Sequence, residues 1–503
     1  MRRRTGRSSP REHAVTEVVS GRPLPRRPPQ HPLDRLVSEF DRVFGGIPVE
    51  GIDLAGANRG SFYLAARSET EFNSRSARVR AWSTLLGYAV FARDLCHVTS
   101  LPPLVPRPGP PKPLFLLKGL NPSVLGTMRP VLARFSPEQA RMAVVDDDGL
   151  TPEPSFEWLS VKALAPRGAA RSLLGLDATL RARRRDAVTP LFRRASLRAW
   201  LLRMALRTSA AAQAFRRIYD VYPTSVLVTA SDTGFWGHCA TRGAERLGIP
   251  SLTLQHGMPA GEGYVPVISS RFAAWGEATA EWLRERGVPP RKIVVTGAPR
   301  LDVIVNQPRR PRAEIARDLG ADPSRRWVVL ATNPVPFDRN AALLATARAG
   351  LRLWGEPAIL VVKLHPSEDP APYRAAIGGD RGVILVLHGK VDLYDLLAAS
   401  EAVLTFHSSV GAEAMMLDRP VVSLEAFGEE NPLDYARAGA AACARTAEDL
   451  ARALREDVAP GTRVPERRHA RERFVRDNLL AADGKSAERV RAVIQSLAAR
   501  EAL

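Results

Sequence analysis

Two stretches decide the reading: ILVVKLHPS (359–367) and AVLTFHSSVGAEAMMLDRPVVSLE (402–425). Each opens with an apolar run of strand length and closes on polar residues. The first ends in Lys363, His365 and Pro366, and the second in His407, Ser408 and Ser409. Val410 to Leu417 then read as a helix, and a further apolar run starts after Pro420. Two serines at a helix start supply hydroxyl donors, and the unpaired backbone N–H groups there attract anions such as a phosphate. Glu413 falls one turn inside the helix, where a carboxylate can accept hydrogen bonds from ribose hydroxyls. The plainer alternative is that Ser408 caps the helix and Glu413 is a solvated first-turn acid. The combination of features points to a nucleotide site.

Further apolar runs flank these two. WVVLAT (327–332), VILVL (383–387) and PVVSLE (420–425) alternate with helical patterns. An earlier series comprises LFLLKG (114–119), RMAVV (141–145), SVLVTA (225–230), SLTLQHG (251–257), FAAWG (272–276) and KIVVTG (292–297). Apolar strands alternating with helices imply parallel sheets covered on both faces. The fold class is therefore α/β: two Rossmann-like doubly wound domains facing a cleft, with a helical, partly disordered N-terminal extension. The expected division is a basic disordered tail (1–30), a helical extension with a Pro-rich linker (31–110), an acceptor-side domain (111–305), a nucleotide-binding domain (306–465) and bracing helices (466–503).

Ligands of such sheets bind beyond the carboxyl ends of the strands, so chemistry is sought there in the first half too. Asp232 follows SVLVTA and could deprotonate an acceptor hydroxyl, or cap the helix beginning near Gly234. His256 follows SLTL and could act as a base, an oxyanion donor or a diphosphate ligand, or simply bond its own loop. Glu262 lies in a Gly-flanked loop and is a weaker candidate. Arg300 and Lys363 could offset leaving-group charge.

The 503-residue chain carries a formal net charge of +19. Residues 1–30 contribute a net +6 and residues 162–207 a net +10, so the remainder is close to balanced. RASLRAWLLRMALR (194–207) interleaves Arg with Leu, Trp and Met at helical spacing. It fits either a helix packed on the domain with Arg outward, or one laid on an anionic membrane surface. The sequence has no recognised nucleic-acid module, and no nucleic-acid partner is expected. Cys96, Cys239 and Cys443 form no metal-type pair, no HxxxH or DxD pattern occupies the cleft positions, and neither metal nor cofactor is expected. No apolar run approaches the ~20 residues of a membrane helix, and no secretory signal follows the basic N-terminus. The expected location is cytoplasmic, with peripheral attachment to the inner face of the membrane as an option.

LHPSE (364–368) with DLYDLLAASEAVLTFHSSVGAEAMMLDRPVVSLE (392–425) resembles the donor domain of GT-B glycosyltransferases. The bacterial capsule and surface-polysaccharide enzymes are the nearest in pattern, namely the polysialyltransferase, Kdo-transferase and CDP-glycerol glycerophosphotransferase types. The resemblance implies that His365, Pro366, Ser408 and Ser409 contact the donor's phosphate and nucleotide, and that Glu413 binds ribose. The second upstream Glu of retaining members is missing, which implies the inverting branch. GIPSLTLQHGMPAGEGYVP (248–266) and FAAWGEATAEWLRERGVPPRKIVVTGAPRLD (272–302) resemble the Gln-His-Gly, Trp-Gly and Gly-x-Pro-Arg junction of surface-carbohydrate synthesis proteins. Asp147 and Asp148, in DDDG (146–149), resemble the acidic-acidic-Gly motif that supplies the base in sialyltransferases, although such runs are common in turns.

The expected activity is transfer of a sugar or polyol phosphate from a CMP-, CDP- or UDP-linked donor to a glycan or lipid-linked acceptor. The base would come from Asp232, His256 or the Asp147-Asp148 pair. Two other functions share the fold, a UDP-N-acetylglucosamine 2-epimerase and a non-catalytic binding module.

Overall fold

The computed structural model describes residues 32–500 apart from 68–73, 75, 97–106, 108, 119–121, 146–154, 166–172, 260–262, 407, 426, 428–432, 434 and 459–464. The expected tail (1–30), most of the Pro-rich linker, Asp147, Asp148, Glu262 and His407 fall outside these residues.

Two parallel sheets organise the chain. The first contains β1 (Lys112–Leu117), β2 (Arg141–Val144), β3 (Trp158–Ser160), β4 (Thr224–Thr229), β5 (Ser251–Leu254), β6 (Arg271–Ala274) and β7 (Ile293–Val295). Their spatial order is β3-β2-β1-β4-β5-β6-β7. The second contains β8 (Arg326–Ala331), β9 (Ala358–Lys363), β10 (Val383–Val386), β11 (Ala402–Thr405), β12 (Val421–Leu424) and β13 (Ala442–Ala444), ordered β10-β9-β8-β11-β12-β13. Every pairing within these two sheets is parallel, as in Val328 with Ala402 and Phe115 with Val228. Each sheet therefore reverses direction beside its first strand, and the crevice at that reversal is where doubly wound folds hold ligands. In the first sheet the crevice lies beyond β1 and β4. In the second it lies beyond β8 and β11.

The central strands are buried along their whole length because helices cover both faces. This explains why they read as continuous apolar runs rather than alternating ones. The edge strands β3 and β13 carry only WLS and ACA, and no apolar run announces them.

Helices α1 (Pro32–Phe44), α2 (Leu54–Arg67) and α3 (Ala77–Cys96) gather with α4 (Ala195–Val221) around an aromatic-rich core that includes Phe40, Phe62, Phe192 and Trp200. Phe40 and Phe62 stack with ring centroids 4.2 Å apart. The N-terminal helices are thus built into the first half rather than strung ahead of it. Leu197, Trp200, Leu201, Leu202 and Ala205 are all buried on α4. Of the two placements open for 194–207, the structure shows the helix packed on the domain, with its apolar stripe in the core.

Two helices tie the halves together. The helix Pro465–Leu479 packs on Glu277–Glu285 of the first half and on Val410–Met416 of the second. The last helix, Ser486–Arg500, crosses onto β4 and buries Ala487, Val490 and Ile494 there. Asp302 accepts from the N–H groups of Ser486 and Ala487 at 3.0 and 2.8 Å, satisfying two donors at that helix start. Gly276, of the Trp-Gly pair, is required by proximity. A Cβ there would lie 2.4 Å from the backbone of Asp477 and Asn478.

Candidate active site

Gln255 sets the exit of β5. Its side chain accepts from the Trp275 N–H at 2.7 Å and donates to the Gly257 carbonyl at 2.9 Å, while its own carbonyl accepts the Trp275 indole N–H at 2.8 Å. These bonds hold the Gln-His-Gly bend against β6 and fix where His256 projects. The His256 Nδ1 lies 2.8 Å from the Ala230 carbonyl, an acceptor only, so Nδ1 carries the proton and Nε2 keeps its lone pair. Tyr264 supports the bend by accepting from the N–H groups of His256 and Gly257 at 3.2 and 2.9 Å. Burial pushes the imidazole pKa below its ordinary value, and the nearby Arg300 charge pushes the same way against the Ala230 bond. A neutral ring with one fixed lone pair is a ready general base.

His256 borders a cavity of about 340 Å³ at the carboxyl ends of β1 and β4, lined also by Lys118, Thr229, Ser231 and Trp236. The cavity floor is the start of α5 (Phe235–Arg246), where a Cβ on Gly237 would sit 1.7 Å from the Ser231 carbonyl. Only glycine lets that helix approach so closely.

Asp232 does not share this cavity. It is buried, and its Oδ2 accepts from the N–H groups of Ile268 and Ser269 at 2.9 and 2.8 Å. Burial pushes its pKa up, while the surrounding hydrogen bonds oppose that. Its geometry is that of a scaffold for the 265–269 loop, which corrects the expectation that it acts as a base. The cap expected of it is partly supplied by Ser231, whose Oγ accepts from Gly234 N–H at 3.1 Å.

In the second half, Lys363 and His365 leave β9, and Ser408, Ser409 and Glu413 follow β11, with β8 between the two strands. Ser367 N–H donates to His365 Nδ1 at 3.3 Å, and its Oγ lies 2.8 Å away. The proton is thereby left on Nε2, so this ring offers a donor where His256 offers an acceptor. Burial lowers its pKa as well, opposed by Glu368.

Glu368 was not singled out from sequence, yet it organises the loop. It accepts from His365 N–H at 3.0 Å, Asn340 at 2.7 Å, Tyr373 at 2.5 Å and the Thr332 hydroxyl. The available signal was an acid three residues beyond a strand-ending His. Pro366 is exposed in the same loop. Lys363 is 8% exposed and donates to the Leu364 carbonyl at 3.1 Å. No carboxylate pairs with it among the described residues, and burial lowers its pKa.

Ser409 occupies the N-cap of α6 (Val410–Met416). Ser408 is held by its carbonyl, which accepts from the Tyr435 hydroxyl at 2.8 Å. A Cβ on Gly411 would meet the Tyr435 ring at 2.7 Å, so the Ser-Ser-Val-Gly turn and Tyr435 are fitted to each other. Glu413 is buried at 2% exposure and forms an ion pair with Arg300, from the Pro299–Leu301 turn after β7. Arg300 also donates to Ser409 Oγ at 3.2 Å. The structure therefore joins Ser409, Glu413 and Arg300 directly, brings His256 near Arg300, and leaves Asp232 outside. Among the described residues no group of His, Cys, Asp and Glu is arranged to hold a metal ion.

Residues 272–496 match the family described as CDP-glycerol:poly(glycerophosphate) glycerophosphotransferase. The UDP-GlcNAc 2-epimerase from Methanocaldococcus jannaschii matches with a TM-score of 0.51 and 14% identity, over 76% of this chain and 99% of that one. A UDP co-structure of S. aureus MnaA gives 0.50 and 13%, over 76% and 94%. The wall teichoic acid polymerase TagF gives 0.49 and 14%, over 78% and 89%. No protein of curated function matches this chain in sequence. The epimerase likenesses concern the fold alone. Residues 272–496 thus carry the match to a transferase family, and the chain shares the two-sheet fold of the two epimerase-type structures.

Proposed function

We propose that the enzyme transfers a polyol phosphate from a CDP-linked donor to a hydroxyl of a growing surface glycan or lipid-linked acceptor, with His256 as the base. The observation that carries this is the fixed His256 tautomer beside the cavity at β1 and β4. The donor nucleotide binds across β9 and β11, at His365, Lys363, Ser408, Ser409 and Glu413. The acceptor oxygen attacks the phosphorus bearing the polyol, and its proton passes to His256 Nε2. The bond from that phosphorus to the bridging oxygen breaks, and CMP leaves with the electron pair. Lys363 and the His365 Nε2–H offset the charge that develops on CMP. With a sugar nucleotide instead, the same base would give inversion at the anomeric carbon.

A lipid-linked acceptor would bring the enzyme to a membrane surface. The support lies on α3, where Val79, Trp82, Leu85 and Leu86 are exposed beside Arg78. Their spacing places them along one side of the helix.

The test is CMP release from CDP-glycerol with a glycerol-phosphate oligomer as acceptor. Release that depends on acceptor, and falls ~100- to 10,000-fold in His256→Gln, is the expected result. Release of UDP from UDP-N-acetylglucosamine without acceptor would instead favour the epimerase chemistry. Full activity in His256→Gln would remove it as the base.

A further inference from the structure

Arg300 stands where the two halves of the cleft meet. Its Nη2 carries the ion pair to Glu413 and the bond to Ser409 Oγ, which itself donates to Glu413 Oε1 at 3.2 Å. Its Cζ lies 5.4 Å from the centroid of the Trp275 ring. Its buried Nε has no hydrogen-bond partner among the described residues. A guanidinium has five N–H donors in a fixed fork, and here part of that fork is unused. The triangle of Arg300, Ser409 and Glu413 also occupies two of the side chains expected to receive the nucleotide. In this arrangement Glu413 faces a cation rather than a ribose hydroxyl.

We propose that the Arg300–Glu413 pair is a latch that the donor's phosphates open: Arg300 exchanges the carboxylate for phosphate oxygens, and Glu413 is released to the ribose. The inference rests on the reading of Ser408, Ser409 and Glu413 as the nucleotide site. A guanidinium matches carboxylate and phosphate in the same planar geometry, so the exchange keeps its charge paired. A nucleoside without phosphates offers no replacement anion. Binding it at Glu413 would leave Arg300 buried and uncompensated, which is strongly unfavourable. The latch thus discriminates for nucleotides over nucleosides. Arg300 also disfavours protonation of His256, so the cation that reads the donor also helps keep the base neutral.

Calorimetric titration of CDP and of cytidine into the wild type, Arg300→Gln and Arg300→Lys tests this. The wild type should bind CDP far more tightly than cytidine. Arg300→Gln should weaken CDP by ~10- to 100-fold, the worth of a charge-assisted bond. It should bind cytidine as tightly as the wild type or more so, because Glu413 is freed. Arg300→Lys should weaken CDP by less than Arg300→Gln does. Equal weakening of both ligands would make Arg300 a structural support only, and no change in either would mean the phosphates are read elsewhere. Both results overturn the latch while leaving the nucleotide site intact. If the wild type binds neither CDP with cytidine nor UDP with uridine, the nucleotide reading fails and takes the latch with it. Ligand-free thermal melts check that the variants fold, and Arg300→Lys carries the test if Arg300→Gln does not.

Discussion

His256 should impose an acid limb on the activity, and its position is predictable in direction. The base form is the neutral ring, and burial lowers the pKa of the ring from 6.5. Activity should therefore persist as pH falls through 6.5 and be lost only below it, as Nε2 becomes protonated. A pH–rate profile of acceptor-dependent CMP release checks this. A limb above 6.5 would assign the titration to another group. His256 was readable in the sequence because a His directly after an apolar run, before Gly, sits at a strand exit. Asp232 gave the same signal and was misread. Sequence shows that an acid follows the strand, but not that the Ile268 and Ser269 amides turn toward it. Arg300 was readable only as a loose cation. Its partner Glu413 lies 113 residues away, and nothing local announces that pairing.

At the scale of elements, the strands were legible wherever burial on both faces forces a continuous apolar run, as in ILVVKLH and SVLVTA. The edge strands β3 and β13 were not, because three residues at a sheet edge need no such run. Helix faces were the hardest to assign. The Arg-interleaved segment 194–207 offered a membrane face in sequence, but α4 buries that stripe in the core. Helix α3, inside the expected helical extension, leaves Trp82 and Leu85 at 67% and 64% exposure. Periodicity shows that a face exists without showing what covers it. Replacing Trp82 and Leu85 together by alanine should reduce co-sedimentation with vesicles of anionic lipid while leaving CMP release in solution unchanged. Unaltered sedimentation would remove α3 as the contact. Because these side chains are exposed, the melting temperature should hardly move.

For the whole molecule, the order of strands explains why residues far apart in sequence form one site. Each sheet reverses beside its first strand, which puts His256 near one crevice and the Ser408–Glu413 turn near the other. The turn at Pro299–Leu301 carries Arg300 across from the first half to the second. The two-domain α/β character was legible from the two series of apolar runs. The closing of the cleft was not, since it depends on Gly276 meeting the 477–478 backbone and on Asp302 capping the last helix. On the proposed function, the second half holds a nucleotide on its Ser-Ser turn. Thermal shift of the wild type and of Ser408→Ala/Ser409→Ala against CMP, CDP, UDP, GDP and dTDP tests it most directly. CDP at ~100 times its dissociation constant should add about 2.7 kcal/mol of stability to the wild type, and much less to the double variant. No stabilisation by any of the five, or equal stabilisation of both proteins, would rule out a nucleotide site at Ser408 and Ser409.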